Sequence, residues 1–312
     1  MAHEIENMMY VGNAPWHNLG QRFIVPPTLD EALVAAGLDW KVGLQDLFMN
    51  DGRQVPAKAT VRDFDQSVLG VVGPSYHPLQ NTEAFDFFRP WIDSGMASIE
   101  TAGSLRDGKR VFVLAKINSE DSIIVPKADD RVAKYILLSN SHDGTLAVRA
   151  GFTPIRVVCN NTMMMAHDSA SSKLIRVRHS KKVVQNLESL RDIMNLANQE
   201  FEATAEQFRF LASKQINRTD LEKYIKLIFG KADSETAGDR VLAKIIPLFE
   251  GGRGNDMTGV AGTYWAAYNA VNEYLQYERG SDEHNRLDGM WFGQGASLNK
   301  KALNTAMLLA AA

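Results

Sequence analysis

The chain has 312 residues, 45% of them hydrophobic and 23% charged, with a net charge of −3. That apolar content is enough for a sizeable core and excludes a chain disordered throughout. The near-neutral sum argues against a histone-like or polybasic membrane-binding protein. The single cysteine, Cys159, excludes an internal disulfide and any Cys-x-x-Cys site, and suits a reducing cytosol. The first residues, MAHEIENMMYVG, are acidic and lack the apolar core of a signal peptide. No stretch reaches the roughly 18 apolar residues of a membrane span, and the apolar tail from Ala306 to Ala312 is too short.

In chain order, the first 95 residues are mixed, with short helices expected near Thr28–Ala36 and Thr82–Ser94. Three Asp-Gly pairs sit between strand-like runs: Asp51-Gly52, Asp107-Gly108 and Asp143-Gly144. Each is a short-range hairpin signal, because a type I′ turn needs positive φ at both central residues. The runs VFVLAKI and YILLS are almost continuously apolar, as in strands covered on both sides. Two more strands are expected at Ile155–Cys159 and Lys173–His179. In the second, Arg176 and Arg178 fall on one face by the period of two.

From about residue 182 the period changes. Val184, Leu187, Leu190, Met194, Ala197, Phe201, Ala205, Phe208 and Leu211 recur every three to four residues, the pattern of a long amphipathic helix. Thr219-Asp220-Leu221-Glu222 fits a capping box, opening a helix that ends at Gly230. Further helices are expected at Arg240–Glu250, Gly262–Gln276 and Leu298 to the end. This order gives an α+β protein: a central antiparallel sheet of hairpins, then a long amphipathic helix, then a helical C-terminal part. The expected division is a mixed region 1–95, a sheet-plus-helix core 96–215 and a helical region 216–312.

Charge is distributed unevenly. Residues 1–100 carry 6 basic and 13 acidic residues (−7), 101–182 carry 14 and 7 (+7), and 183–312 carry 14 and 17 (−3). The strand-rich middle is therefore basic inside an acidic protein, a pointer to a polyanionic partner. Arg106, Lys109 and Arg110 cluster at a hairpin tip. Lys173, Arg176, Arg178, His179, Lys181 and Lys182 form a second cluster with no acid among them. The bland alternative is that these cations guard sheet edges or pair with the acidic helix beside them.

Chemistry-bearing motifs are sparse. Cys159 lies in an apolar strand and reads as a buried structural residue. The seven histidines form no zinc-hydrolase spacing. His142-Asp143 is accounted for by a turn, and His167-Asp168 is a weak metal or acid/base pair. Gly251-Gly252-Arg253-Gly254-Asn255 lacks the ending of a Walker loop. It reads as a connector, with phosphate binding through backbone N–H groups as the alternative. Tyr264, Trp265, Tyr268 and Tyr274 lie on one helix and suit core or subunit contact; to stack on bases they must be exposed. Asn160, Asn161 and Thr162 suggest a hydrogen-bonded turn, and Met163, Met164 and Met165 an adaptable apolar surface.

The motifs PWHNLG (15–20), AGLDW (36–40), ETAGSL (100–105), NSHDGT (140–145), RVVCNNT (156–162) and GTYWAAYNAVNEY (262–274) resemble the phage/plasmid-like proteins of the DUF932 family. The resemblance covers nearly the whole chain and implies a cytoplasmic protein encoded by a phage or other mobile element in a bacterial host. It implies no activity. A second resemblance is architectural: hairpins, further basic strands and then a long helix are similar to the core of Rad52-type single-strand annealing proteins. That likeness implies rings holding single-stranded DNA in a basic groove.

The resulting expectation is a homo-oligomeric, ring- or filament-forming, single-stranded DNA-binding protein that promotes ATP-independent annealing and recombination. It would need no cofactor and no metal, and would work beside a single-strand binding protein or an exonuclease. Arg106, Lys109, Arg110, Lys173, Arg176, Arg178, Lys181 and Lys182 would contact phosphates. Tyr135, Tyr264, Trp265 and Tyr268 are the candidate stacking residues. The alternatives are a metal-dependent nucleotide or nucleic-acid enzyme using Asn160, Asn161, His167, Asp168 and the 251–255 loop, or a protein–protein module directed at a host factor. No catalytic motif supports the enzyme.

Overall fold

The computed structural model describes residues 5–12, 20–156, 161–162, 175–188, 194–230, 235–279 and 293–312. In chain order its elements are β1 (Ile5–Val11), β2 (Gln21–Phe23), α1 (Leu29–Ala35), β3 (Val42–Phe48), β4 (Gln54–Arg62), β5 (Val68–Val72), α2 (Asn81–Asp86), α3 (Arg89–Asp93), β6 (Ala97–Leu105) and β7 (Arg110–Ile117). Then follow β8 (Ser122–Val125), β9 (Asp130–Ser141), β10 (Val148–Arg156), β11 (Asn161–Thr162), β12 (Ile175–Val177), α4 (Val183–Glu188), α5 (Met194–Ser213), α6 (Arg218–Phe229), α7 (Glu235–Gly251), α8 (Tyr264–Glu273) and α9 (Gln294–Ala311). The protein is α+β, with a central sheet and C-terminal helices, as the pattern predicts.

These elements form two compact units. One comprises residues 1–119, 135–152 and 173–195; the other comprises 120–134, 153–172 and 196–312. The chain passes from one to the other within β9 and again within β10. Neither 95/96 nor 215/216 is a boundary between them, because strands distant in sequence share one sheet.

In the first unit the strands lie in the order β10–β9–β7–β6–β1–β2, with β12 paired to β10. The β1–β2 pairing is parallel. The β1–β6, β6–β7, β7–β9 and β10–β12 pairings are antiparallel. β3, β4 and β5 form a separate three-stranded antiparallel sheet. The apolar run of β7 is buried from Arg110 through Ala115. Val111, Val113 and Ala115 join a core with Trp40, Leu79, Phe85, Phe88 and Trp91, so the strand is covered on both sides as its sequence predicts.

Local sequence explains the helix ends. The Thr28 hydroxyl accepts from the Glu31 N–H at 3.3 Å while the Glu31 carboxylate accepts from the Thr28 N–H at 2.9 Å, a capping box that starts α1. The single helix expected at 82–94 is two, α2 and α3, and Pro90 sits at the start of the second, where its missing N–H costs nothing. α6 begins two residues earlier than expected: Asn217, not Thr219, is its cap, accepting from the Asp220 N–H at 2.9 Å. The long helix expected from 182 appears as α4 and α5, with 189–193 outside the described residues.

The three Asp-Gly sites do connect neighbouring strands, but not as two-residue turns. The loops span 49–53, 106–109 and 142–147, and Gly52, Gly108 and Gly144 take φ of +82°, +81° and +75°. At 106–109, Arg106 and Asp107 also take φ of +55°. The third loop is packed against β5: a Cβ on Gly70 would stand 2.5 Å from the Asp143 Cα, and one on Gly144 would stand 3.0 Å from Val72 Cγ1.

In the second unit, Arg156 and Asp130 form a fully buried ion pair at 2.7 Å. The Trp265 Nε1–H donates to Asp130 at 2.8 Å. Arg156 also donates to Asn255 Oδ1 at 3.2 Å and to the carbonyls of Arg253 and Gly254 at 3.3 and 2.9 Å. This network answers the 251–255 question. The loop's carbonyls face an internal arginine, and its Arg253 N–H donates to the Glu273 carboxylate at 3.1 Å. The loop is a fastened connector whose polar groups serve the fold.

Gly70→Ala places a methyl group against backbone and is expected to destabilise the protein by about 1–3 kcal/mol in urea unfolding. Gly43→Ala, whose nearest neighbour would be at 3.8 Å, is expected to change stability far less.

Candidate nucleic-acid interface

The two basic clusters come to different ends. At the 106–109 tip, Arg106 and Lys109 are half-buried and Arg110 is 9% exposed. The tip is docked, not extended. A Cβ on Gly108 would meet Arg62 Nη1 at 3.0 Å, Glu6 Oε2 at 3.3 Å and Trp40 at 3.3 Å. Arg62 is itself tied to Glu6 and Asp65 at 2.6 Å each and lies over the rings of Trp40 and Phe64. The acids beside the tip are thus engaged by Arg62.

The second cluster is open. Around β12, Arg176 and Arg178 are exposed and Val177 between them is buried, as the period of two predicts. Lys181 and Lys182, in the turn before α4, are also exposed. Lys173 lies outside the described residues, as do Cys159, Asn160, Met163–Met165, His167 and Asp168. Asn161 is described only as a β11 residue paired with Arg156.

Strand register adds a residue that the sequence pattern did not single out. Arg149 of β10 is the direct partner of Arg176 across the β10–β12 pair, and it is half-buried. Arg110 enters from β7, paired with Ser141 of β9, and its Nη2–H donates to the Thr145 hydroxyl at 3.2 Å. Burial first, then the charges of Arg176 and Arg110, push the Arg149 guanidinium below its ordinary value. Arg149 is thus within electrostatic reach of both Arg176 and Arg110. No pattern within one segment could reveal this, because the β10–β12 register joins residues far apart in the chain.

The 142–147 loop fixes this arrangement. Asp143 accepts from the Ser141 hydroxyl at 2.7 Å, the Thr145 N–H at 2.9 Å and the Thr145 hydroxyl at 2.6 Å. Burial alone would raise its carboxyl, but the Thr145 and Ser141 hydrogen bonds and the Arg110 charge outweigh it and hold the group below the usual range. Thr145 therefore relays between Arg110 and Asp143. The Tyr76 hydroxyl donates to the Ser141 carbonyl at 2.8 Å, and its ring stacks on His179 at 4.6 Å.

Two histidines line the same region without adding charge. His142 is fully buried, donates from Nε2 to Asn81 Oδ1 at 3.0 Å and meets Trp40 edge-on. Burial, then the neighbouring His179, push its pKa down to about 3, against a smaller opposite pull from Asp143. His179 donates from Nε2 to the Leu146 carbonyl at 3.2 Å, and burial lowers it as well. Both rings are neutral near pH 7, so positive charge here comes from the arginines.

Three of the four expected stacking residues lie in the second unit and are enclosed. Tyr264, Trp265 and Tyr268 are 6%, 0% and 0% exposed. Trp265 and Tyr268 pack with Phe208 in the core of the second unit. A ring with no free face cannot stack on a base, and the core reading of this helix is the correct one. Tyr135 is half-buried.

Among the described residues no three His, Cys, Asp or Glu side chains gather as a metal site, and no helix is long and apolar enough to cross a membrane. Residues 68–303 match the family model described as Domain of unknown function (DUF932), and the match includes all of Tyr76, Arg110, Arg149, Arg176 and Lys182. No curated protein and no solved structure matches the chain.

The unfolded His142 ring takes a proton below about 6.5, the folded ring only near about 3. Between those values the unfolded chain binds the extra proton, so stability falls as pH falls through this window, by at most about 1.4 kcal/mol per pH unit from this group. Urea unfolding from pH 7 to pH 4.5 is expected to show a shallower loss in His142→Gln than in the parent protein.

Proposed function

We propose that this chain, which belongs to the DUF932 family, is a single-stranded DNA-binding protein that holds the sugar-phosphate backbone along β12 and the turn into α4. The observation that carries the reading is the outward row of Arg176, Arg178, Lys181 and Lys182, all exposed within seven residues. Such a row releases counterions when it meets phosphates. Contact through phosphates leaves base edges free to pair with a complementary strand, which fits a role in ATP-independent annealing. Arg106 and Lys109 at the docked tip are secondary contacts in this reading. The burial of Trp265 and Tyr268 removes stacking by that helix, so binding rests on charge, with weak sequence preference. A phage-encoded protein working as a homo-oligomer on recombination intermediates is the setting in which this activity belongs.

Titration of one oligonucleotide, single-stranded and as a duplex, at two salt concentrations tests the proposal. Tighter single-strand binding with a strong salt dependence is expected. Arg176→Ala with Arg178→Ala should lower the slope of log K against log salt by about 1.4, at about 0.7 per phosphate contact on single strands. Absence of binding at low salt, or an unchanged slope in the double variant, overturns it.

A further inference from the structure

We infer that α9 is a releasable helix: it detaches as a unit from α6 and α8, over a seam closed on unpaired asparagine amides, while the rest of the second unit stays folded. Nothing in this rests on the DNA-binding reading above.

α9 packs on α6 and α8, but it brings little apolar surface to them. Its buried face is Leu303, one asparagine, Asn299, and otherwise only alanine and glycine. α6, by contrast, buries Leu221, Tyr224, Ile225 and Ile228. An alanine methyl withdraws far less area from water than a leucine or aromatic side chain, so this face contributes little to docking.

The same seam carries a polar cost. Asn299 and Asn272 of α8 are fully buried, and among the described residues neither Oδ1 nor Nδ2 of either makes a hydrogen bond. On the same stretch of α8, Asn269 Oδ1 and the Tyr268 hydroxyl are unpaired too. Each such group has left water without gaining a partner, which opposes the closed arrangement. Register sets the two amides together. α9 returns along α8 from a hydrogen bond of 2.7 Å between Arg279 Nη2 and Gln294 Oε1. Counting equally inward from that bond places Asn272 level with Lys301, within one turn of Asn299. Release of α9 gives Asn299 back to water and opens the level at which Asn272 sits.

α9 is fastened by single side-chain bonds. The Tyr224 hydroxyl donates to the Ala302 carbonyl and Lys301 Nζ to the Ile228 carbonyl, at 3.1 Å each. Beside the seam α8 gives way to a π-helical turn, Tyr274–Glu278, closed by the Arg279 N–H on the Tyr274 carbonyl at 2.8 Å. Such turns are rare and mark places where a regular helix is disturbed. An alanine face, unpaired amides and an irregular neighbouring turn together put α9 at the low-stability end of its unit. Release uncovers the α9-facing side of α6, while Trp265 and Tyr268 stay packed on Phe208.

Hydrogen exchange of the full chain, read by mass spectrometry, tests this. Peptides of α9 are expected to exchange together and at least about a hundredfold faster than peptides of α8, as a sub-global opening requires. Asn299→Leu replaces an unpaired amide by an apolar group of similar size and should slow α9 about tenfold, leaving α8 unchanged. Leu303→Ala should speed α9 by about tenfold or more, again without α8. Thermal unfolding shows whether each variant is folded. If Asn299→Leu does not fold, Leu303→Ala decides alone, since it adds no volume: α9 must speed by itself. Exchange of α9 no faster than that of α8, a folded Asn299→Leu with unchanged or faster α9, or joint acceleration of α8 and α9 in Leu303→Ala overturns the inference.

Discussion

The strand register that sets Arg149 of β10 directly opposite Arg176 of β12 is the constraint on which the basic end of the first unit's sheet depends. Two guanidinium groups directly opposed on β10 and β12 gain nothing from each other. Their placement is fixed by backbone pairing and by the apolar residues between them: Val148, Ala150 and Val177 are buried in the core. The sheet thus forces cations together on its outward side while its inward side supplies the stability.

The 142–147 loop links that constraint to the rest of the unit. Asp143 gathers Ser141 and Thr145, Thr145 receives Arg110, and the Tyr76–His179 stack closes over the Ser141 carbonyl. β5 presses on the loop so closely that only glycine fits at position 70. The rigidity matters because scattered, mobile cations attract polyanions without selecting among them, whereas cations held at fixed separations can distinguish one phosphate geometry from another.

Much of this fold was legible in the sequence, since strands and helices follow local periodicity. The β7 run, the Val184–Leu211 periodicity and the alternation of Arg176, Val177 and Arg178 all depend on neighbours within a few residues. The basic middle was legible by counting. Three things were not. Loop lengths at the Asp-Gly pairs depend on strand twist and on what packs beneath them, as β5 does beneath Gly144. Exposure of the aromatic helix depends on tertiary partners: Trp265 is drawn inward by Phe208 and by Asp130, and helical spacing alone fits a buried face as well as an open one. Arg149 was hidden because its meaning comes from the β10–β12 register, which no single segment records. The Gly251–Asn255 loop was ambiguous for the same reason, and the buried Arg156 decides it.

On the proposed reading, polyanions bind the first unit at the β10–β12 end of its sheet. Ultraviolet cross-linking of a single-stranded oligonucleotide, followed by peptide mapping of the full chain, tests it most directly. Cross-links are expected to concentrate in the peptides that carry residues 143–149 and 175–182, and to fall when Arg176 and Arg178 are both replaced by alanine. Cross-links confined to α6, α7, α8 or α9, untouched by that double substitution, would contradict it.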